Sequence, residues 1–236
     1  SARLDDLFDE IPNNIPAADC SGVADALNEA GISRLMQARA KQDEGLICFA
    51  GAGAYEHHIP AAVWEIVRRG EIYSAYTPYQ AEASQGTLQI LYEYQSMMCE
   101  LTGMEASNCG VYDGATALAE SLLMAVRLCD KGGKGTRNTV LLPQALHPYY
   151  REVALNFLSH QGLHGITLDF CTRTGQTLIP AELPQAAQIA AVVIPQVNFF
   201  GVLEDVDALA NWATTLGALS IAVANPVALA ALKTPN

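Results

Sequence analysis

Short apolar segments alternate with longer amphipathic segments through the second half of the chain, and this alternation restricts the fold more than any other feature. Four runs have the composition and length of strands: Thr139 to Leu142, Gly165 to Phe170, Ala190 to Pro195 and Leu219 to Ala224. Two helical patterns lie between these strands. The first has Tyr150, Val153 and Phe157 on one face. The second has Val206, Leu209, Ala210 and Ala213 on one face and is ended by Gly217. Apolar strands separated by helices are typical of a parallel sheet covered on both faces. The sequence therefore predicts an α/β domain, with a mainly parallel sheet flanked by helices.

Two more helices are predicted upstream, each entered from a short polar loop. The first begins after Ser84, which is placed to cap it, and continues to about Met104. Its apolar residues at helical spacing are Ile90, Tyr94, Met97 and Leu101. The second is capped by Asp113 and closed by the glycine pair Gly132-Gly133. Its inner face carries Leu118, Leu122 and Ala125.

The first part of the chain has a different pattern, because its polar, helix-like segments are interrupted by Pro12, Pro16 and Gly31. We predict a helical arm over residues 1–44 and the α/β domain over residues 45–236.

Charge and composition exclude several classes of protein. Thirteen Lys and Arg against 25 Asp and Glu give a formal charge of −12, whereas a nucleic-acid binder needs a basic surface. The hydrophobic fraction of 50% supports a large core, and the charged fraction of 16% indicates that another chain covers some apolar surface. The most apolar stretch, Ala187 to Phe200, is too short to span a membrane. The six cysteines are scattered and form no C-x-x-C pair, which favours reduced thiols. The acidic segment Ser1–Pro12 is unlike a signal peptide, and we therefore expect a cytoplasmic protein.

Unusual chemistry is concentrated in the loops that enter the two upstream helices. The loop from Ala75 to Gly86 holds two tyrosines, two amides, a carboxylate and two hydroxyls, although a proline-containing turn packed on a neighbour would also explain them. The loop from Tyr112 to Leu118 is a turn of small residues leading directly into a helix. Its backbone N–H groups and the helix dipole suit an anion, and Gly114 and Ala115 leave room for a phosphate. An ordinary capped helix would have the same pattern.

Other signals are weaker. Gly51-Ala52-Gly53 lacks the third glycine of a dinucleotide fingerprint, and His57 and His58 are adjacent and so point apart on a regular element, which argues against a shared metal. His147 and the segment Asn198–Gly201 each follow a predicted strand, where a doubly wound sheet opens its cleft. These two loops could face one cleft, although a loop histidine needs no such role.

Four segments together closely resemble the P-protein family of the glycine cleavage system, and within it the alpha subunit, subunit 1, of the split bacterial form. They are Phe49–Tyr55, Ala75–Gly86, Tyr112–Glu120 and Asn198–Gly201. The resemblance implies the aspartate-aminotransferase-like fold of the fold type I pyridoxal-phosphate enzymes, with its large domain incomplete here. It also implies glycine decarboxylation through pyridoxal phosphate and transfer of the aminomethyl group to the lipoyl arm of the H-protein. In the split form the cofactor lysine lies on subunit 2, with which this chain would form a heterotetramer.

The lysines agree with that assignment. The chain has only Lys41, Lys131, Lys134 and Lys233, and none has an evidently desolvated environment of the kind that activates a Schiff-base lysine. The resemblance also places the neutral Asn225 where relatives carry an aspartate that keeps the cofactor ring nitrogen protonated. Degenerate cofactor-site positions implied in this way are Asp113, Gly114, Ala115, Thr116, His147 and Asn225.

We therefore expect no certain catalytic residue in this chain, no metal site, and no covalently bound cofactor. The chain is interpreted as a pseudo-enzyme half whose loop completes the active site of subunit 2. The residues expected there are Tyr76, Thr77, Tyr79, Gln80, Glu82, Ser84 and Gln85. The alternatives are a self-sufficient pyridoxal-phosphate lyase or aminotransferase and a non-catalytic scaffold protein of the same fold. Because family members continue well beyond position 236, the sequence is also expected to be a truncated, inactive portion that associates through its uncovered sheet.

Overall fold

The computed structural model describes residues 3–12, 14–16, 19–49, 51, 53, 56–73, 77–130 and 135–235. Two compact units are present, residues 1–49 and residues 50–236. The first contains a 3₁₀ turn, Leu4–Phe8, and helix α1, Glu29–Ala40, which is followed by the 3₁₀ turn Lys41–Asp43. Asn28 caps α1 by accepting a hydrogen bond from the Gly31 backbone N–H at 2.8 Å. No side chain of α1 is buried, so this helix adds nothing to the core.

The second unit is built on a parallel sheet of four strands. The strands are β1 (Thr139–Pro143), β2 (His164–Leu168), β3 (Ile189–Gln196) and β4 (Leu219–Ala224), in the spatial order β2-β1-β3-β4. The helices are α2 (Ala61–Val67), α3 (Gly70–Tyr73), α4 (Gln85–Thr102), α5 (Gly114–Cys129), α6 (Pro148–His160) and α7 (Val206–Thr215). Further 3₁₀ turns are Ala186–Gln188 and Pro226–Ala230.

The core forms two layers because alternate residues of a strand point to opposite faces of the sheet. On one face, Val140 and Leu142 pack with Leu122 of α5 and Leu158 of α6. On the other face, Leu141, Val192 and Ile194 pack with Leu209 and Ala213 of α7. The central strands β1 and β3 are buried almost throughout, whereas β4 at the edge is partly exposed. The predicted parallel sheet flanked by helices is confirmed.

The sheet reverses its winding between β1 and β3. The connection after β1 passes through α6 to β2 on one side, and the connection after β3 passes through α7 to β4 on the other. Loops leaving β1 and β3 therefore diverge and open a crevice at the carboxyl ends of these strands, where open α/β sheets bind ligands.

Several predicted boundaries differ from the structure. The second strand ends at Leu168, and Phe170 instead forms an isolated antiparallel bridge to Thr177 as the chain turns back. Helix α5 ends at Cys129, before Gly132 and Gly133, which lie outside the described residues. In α4, Ser84 occupies the N-cap position but its side chain makes no capping hydrogen bond. The helix ends at Thr102, with Gly103 at a φ of 75° that suits glycine.

No helix among the described residues combines the length and apolar character that crossing a lipid bilayer requires.

Candidate active site at the carboxyl edge of the sheet

A cavity of about 600 Å³ lies at the carboxyl ends of β1, β3 and β4. His147 and Tyr150 come from the loop after β1 and the first turn of α6, Asn198 and Phe199 follow β3, and Asn225 follows β4. His57 also contributes to its wall. The topology thus brings together loops that are separated by up to 168 residues along the chain, from His57 to Asn225.

His147 is held in the cavity wall by its place at the start of α6. Its Nδ1 accepts a hydrogen bond from the Tyr149 backbone N–H at 3.2 Å, and Pro148 occupies the first position of the helix, where no N–H is needed. The imidazole centroid lies 5.4 Å from the Tyr150 ring and 5.2 Å edge-on from the Phe199 ring. A Cβ at Gly53 would lie 3.2 Å from His147 Nε2, so the backbone approaches this ring closely. His147 and the segment from Asn198 do share one cleft.

A buried polar network behind Phe199 fixes the loop after β3. The Asn198 side chain donates to Glu204 Oε1 at 2.8 Å and to the Gly175 carbonyl at 2.9 Å. Thr177 donates to the Glu204 carboxylate twice, from its backbone N–H and from its hydroxyl, both at 2.8 Å. Phe199 is anchored in turn, since its backbone N–H donates to the Ala145 carbonyl at 2.8 Å. Sequence analysis did not find Glu204; a lone acid before the Asp205 cap of α7 gave no signal beyond its polarity.

Asn225 closes the cavity from the side of β4. Its Oδ1 accepts a hydrogen bond from the Val227 backbone N–H at 3.0 Å and so caps the short turn that starts at Pro226. An amide at this position carries no negative charge. The described lining residues of the cavity include no Asp or Glu, so nothing among them would hold a proton on a pyridine nitrogen.

The start of α5 is well capped and lies behind Tyr150, a residue of the cavity wall. Asp113 Oδ1 accepts a hydrogen bond from the Thr116 backbone N–H at 2.7 Å. This hydrogen bond holds the pKa of the Asp113 carboxyl below its ordinary value. A Cβ at Gly114 would overlap the Tyr150 hydroxyl and lie 2.8 Å from its Cζ, so Tyr150 rests against the helix start. None of the described cavity-lining residues comes from Asp113, Gly114, Ala115 or Thr116.

The loop before α4 lies apart from the cavity. Tyr79 is 90% exposed, Thr77, Gln80, Glu82 and Gln85 are exposed, and Ser84 is half-buried. Glu82 and Gln85 border a shallow depression with Leu88, Gln89 and Tyr92. Tyr76 lies outside the described residues. None of the described residues of this loop lines the cavity at the sheet edge.

The two lysines that the structure describes, Lys41 and Lys233, do not line that cavity. Lys233 is 84% exposed and lies 4.0 Å from the exposed Asp207, and Lys41 is exposed in the first unit. Lys131 and Lys134 are outside the described residues. None of the described lining residues of the cavity therefore offers an amine for a Schiff base. Within the described part of the chain, no group of three His, Cys, Asp or Glu could hold a metal ion.

The family model described as "Glycine cleavage system P-protein" matches residues 1–236, the whole chain. The chain belongs to this family. A probable glycine dehydrogenase (decarboxylating) subunit 1 from Thiobacillus denitrificans is 52% identical over 236 residues, covering 100% of this chain and 49% of the relative. The chain thus spans about half the length of the curated P-protein relatives it matches.

Two solved structures with similar chains identify the fold. A crystal structure of glycine decarboxylase (P-protein) of the glycine cleavage system, in inhibitor-bound form, is 39% identical, with a TM-score of 0.79 over 100% of this chain and 51% of that chain. Oryza sativa TDC with PLP and tryptamine is 14% identical, with a TM-score of 0.56 over 97% of this chain and 50% of that chain. The chain therefore has the α/β fold of the fold type I pyridoxal-phosphate enzymes, as its resemblance to the family implied.

Proposed function

We propose that this chain is part of subunit 1 of glycine dehydrogenase (decarboxylating). In this proposal it belongs to the half of the enzyme that does not bind the cofactor covalently. In the assembled enzyme, glycine loses its carboxylate as carbon dioxide and the aminomethyl group passes to the lipoyl arm of the H-protein. Subunit 2 carries the pyridoxal phosphate, which supplies the electron sink for decarboxylation. The two subunits form a cytoplasmic heterotetramer.

The observation that carries this proposal is the composition of the cavity at the sheet edge. It lies at the carboxyl edge of the sheet, where open α/β sheets bind ligands, yet its described walls offer no lysine amine and no carboxylate. The possible phosphate site at the start of α5 has the Asp113 carboxylate as its cap, and Tyr150 rests against Gly114. An anion is repelled by the first group and obstructed by the second. The described residues that line this cavity do not fit a covalently held pyridoxal phosphate.

The loop before α4 supports the second part of the proposal. Its polar side chains at Thr77, Tyr79, Gln80, Glu82 and Gln85 face solvent instead of their own cavity. A loop that completes a neighbouring pocket has to be accessible in this way. We therefore assign these residues, with Tyr76 and Ser84, to the wall of the active site on subunit 2.

Reconstitution with subunit 2 tests this function. Glycine-dependent exchange of labelled carbon dioxide is measured for subunit 2 alone, for the full-length subunit 1 that contains this chain, and for the mixture of the two. We expect exchange only in the mixture. In the mixture, Tyr79→Phe, Gln80→Ala and Glu82→Ala should each lower the exchange rate at least about tenfold, a loss of about 1.4 kcal/mol of transition-state stabilisation.

Matched substitutions on α6 and at its C-cap provide the control. Glu152→Gln and Gln161→Ala change exposed side chains remote from the loop and should leave the rate within about twofold. Unchanged exchange in all three loop variants would remove the loop from the active site. Exchange by full-length subunit 1 alone would instead support the self-sufficient lyase.

A further inference from the structure

A short hairpin follows β2 directly and reaches across the sheet. It covers residues 169–178 and is called here the 169–178 hairpin; at its base the Leu178 backbone N–H donates to the Asp169 carbonyl at 2.8 Å. In the sheet, β2 is separated from β3 by β1. The hairpin nevertheless contacts the loop that follows β3, so it passes the carboxyl end of β1, from which the loop to His147 leaves.

Four hydrogen bonds of 2.8–2.9 Å join the hairpin to residues 198–204, called here the 198–204 loop. They run from the Thr177 N–H and hydroxyl to the Glu204 carboxylate, from the Gln176 amide to the Leu203 carbonyl, and from the Asn198 amide to the Gly175 carbonyl. Glu204 is 6% exposed and Asn198 is 2% exposed. Because buried polar groups that are fully paired favour a single arrangement, this network fixes the hairpin relative to the loop.

Apolar contacts reinforce the same junction. The Phe170 ring centroid lies 5.0 Å from that of Phe200. A Cβ at Gly175, whose φ is 77°, would lie 3.0 Å from Val202 Cγ2, so the backbone of the hairpin packs directly against the 198–204 loop. The two segments therefore meet through both buried hydrogen bonds and close packing.

The loop after β1 is held between these segments and the end of β2. On one side the Phe199 backbone N–H donates to the Ala145 carbonyl at 2.8 Å, and the Phe199 ring lies edge-on 5.2 Å from the His147 imidazole. On the other side the Gln144 backbone N–H donates to the Leu168 carbonyl at 2.8 Å. The position of His147 in the cavity wall thus depends on where the 198–204 loop holds Phe199.

We propose that Thr177 and Glu204 are positioning residues, which fasten the 169–178 hairpin to the 198–204 loop and so hold Phe199 and His147 as a preformed wall of the cavity. Neither side chain is among the described residues that line the cavity, so both act through the loop and not by contact with a ligand. A wall held in this way has its geometry before anything enters the cavity. This role belongs to the chain itself and is independent of which subunit carries the cofactor.

The nuclear magnetic resonance signal of the His147 ring tests this role in the full-length protein that contains this chain. Its chemical shift reports the geometry of the folded state, including the nearby edge of Phe199, and does not follow a change in stability while the protein stays folded. Glu204→Gln and Thr177→Val keep the size of each side chain but remove a buried acceptor or donor. Each should displace the His147 signal at least about threefold further than its control variant does.

The controls repeat the same chemical changes nearby. Glu182→Gln and Thr172→Val alter exposed side chains, the second of them on the 169–178 hairpin itself. Thr177→Ser keeps the hydroxyl and should leave the His147 signal where it is in the unaltered protein. A signal that neither Glu204→Gln nor Thr177→Val displaces beyond its control would overturn the proposal and leave the network a purely stabilising role.

Hydrogen exchange of the unaltered protein gives a second test that needs no variant. If the three segments form one unit, the backbone amides of Gln144, Thr177 and Phe199 open together, with opening constants that agree within about threefold. An opening constant of Thr177 more than about tenfold larger than that of Phe199 would show that the hairpin opens by itself, and would overturn the proposal.

Discussion

Asp113 shows how one side chain starts a helix. Its carboxylate accepts from the Thr116 backbone N–H, one of the donors that the first turn of α5 leaves without an intrahelical partner. Asp113→Ala should lower the melting temperature by about 2–4 °C, and Asp113→Asn, which keeps the acceptor, by less. Thermal unfolding monitored by circular dichroism measures both.

The same residue makes a pH-dependent contribution to stability. Its pKa is lowered in the folded chain by the hydrogen bond from Thr116, so the unfolded chain binds the proton more readily. The stabilisation is fully present above the unfolded pKa, about 3.9, and is lost as the pH falls through the folded pKa. The stability difference between the unaltered chain and Asp113→Asn should shrink between pH 6 and pH 3. A difference independent of pH would contradict the role of the charge.

Glu204 is a buried residue whose importance depends on contacts distant in sequence. It is 6% exposed and accepts from Asn198 and from two donors of Thr177. Glu204→Ala leaves these donors buried without an acceptor and should lower the free energy of unfolding by about 3 kcal/mol. Urea denaturation measures this loss. The exposed Glu182→Ala is the control and should cost less than about 0.5 kcal/mol.

At the scale of elements, the approach of α5 to α6 is set by Gly114 and Tyr150. Since a Cβ at position 114 would overlap the Tyr150 hydroxyl, Gly114→Ala should lower the free energy of unfolding by about 1–3 kcal/mol. In a Tyr150→Leu background the added methyl group has space, and the same substitution should cost less than about 0.5 kcal/mol. Denaturation of the four proteins of this cycle gives the coupling energy. Equal costs in both backgrounds would show that the two helices do not meet through this contact.

At the scale of the whole molecule, the cavity at the sheet edge is where covalent binding of the cofactor to this chain can be tested. We expect the chain incubated with pyridoxal phosphate and then borohydride to gain no stoichiometric adduct, because no described lysine lines the cavity. Mass spectrometry of the intact protein measures the adduct, and Lys233→Arg should give the same result. One adduct per chain on any of the four lysines would contradict the assignment of the cofactor to subunit 2.

Local patterns predicted those features whose energetics are local. The strand Leu219–Ala224 was predicted with both its boundaries, and Asp113 as the cap of α5, because strand composition and capping depend on a few adjacent residues. Ser84 was predicted to cap α4 by the same reasoning, and that prediction was wrong. The loop conformation there, with a φ of −119° and a ψ of 20°, does not bring its hydroxyl to the helix N–H groups.

By itself, the sequence determined the parallel α/β architecture, since continuous apolar strands separated by amphipathic helices can bury their surfaces in few other ways. Only the tertiary structure decided which side of α4 meets the domain, because the periodicity of Ile90, Tyr94, Met97 and Leu101 identifies an apolar face but not what covers it. It likewise joined Thr177 to Glu204, 27 residues apart, and set Tyr150 against Gly114. Such contacts depend on how the chain is threaded through the sheet, a property that no short segment encodes.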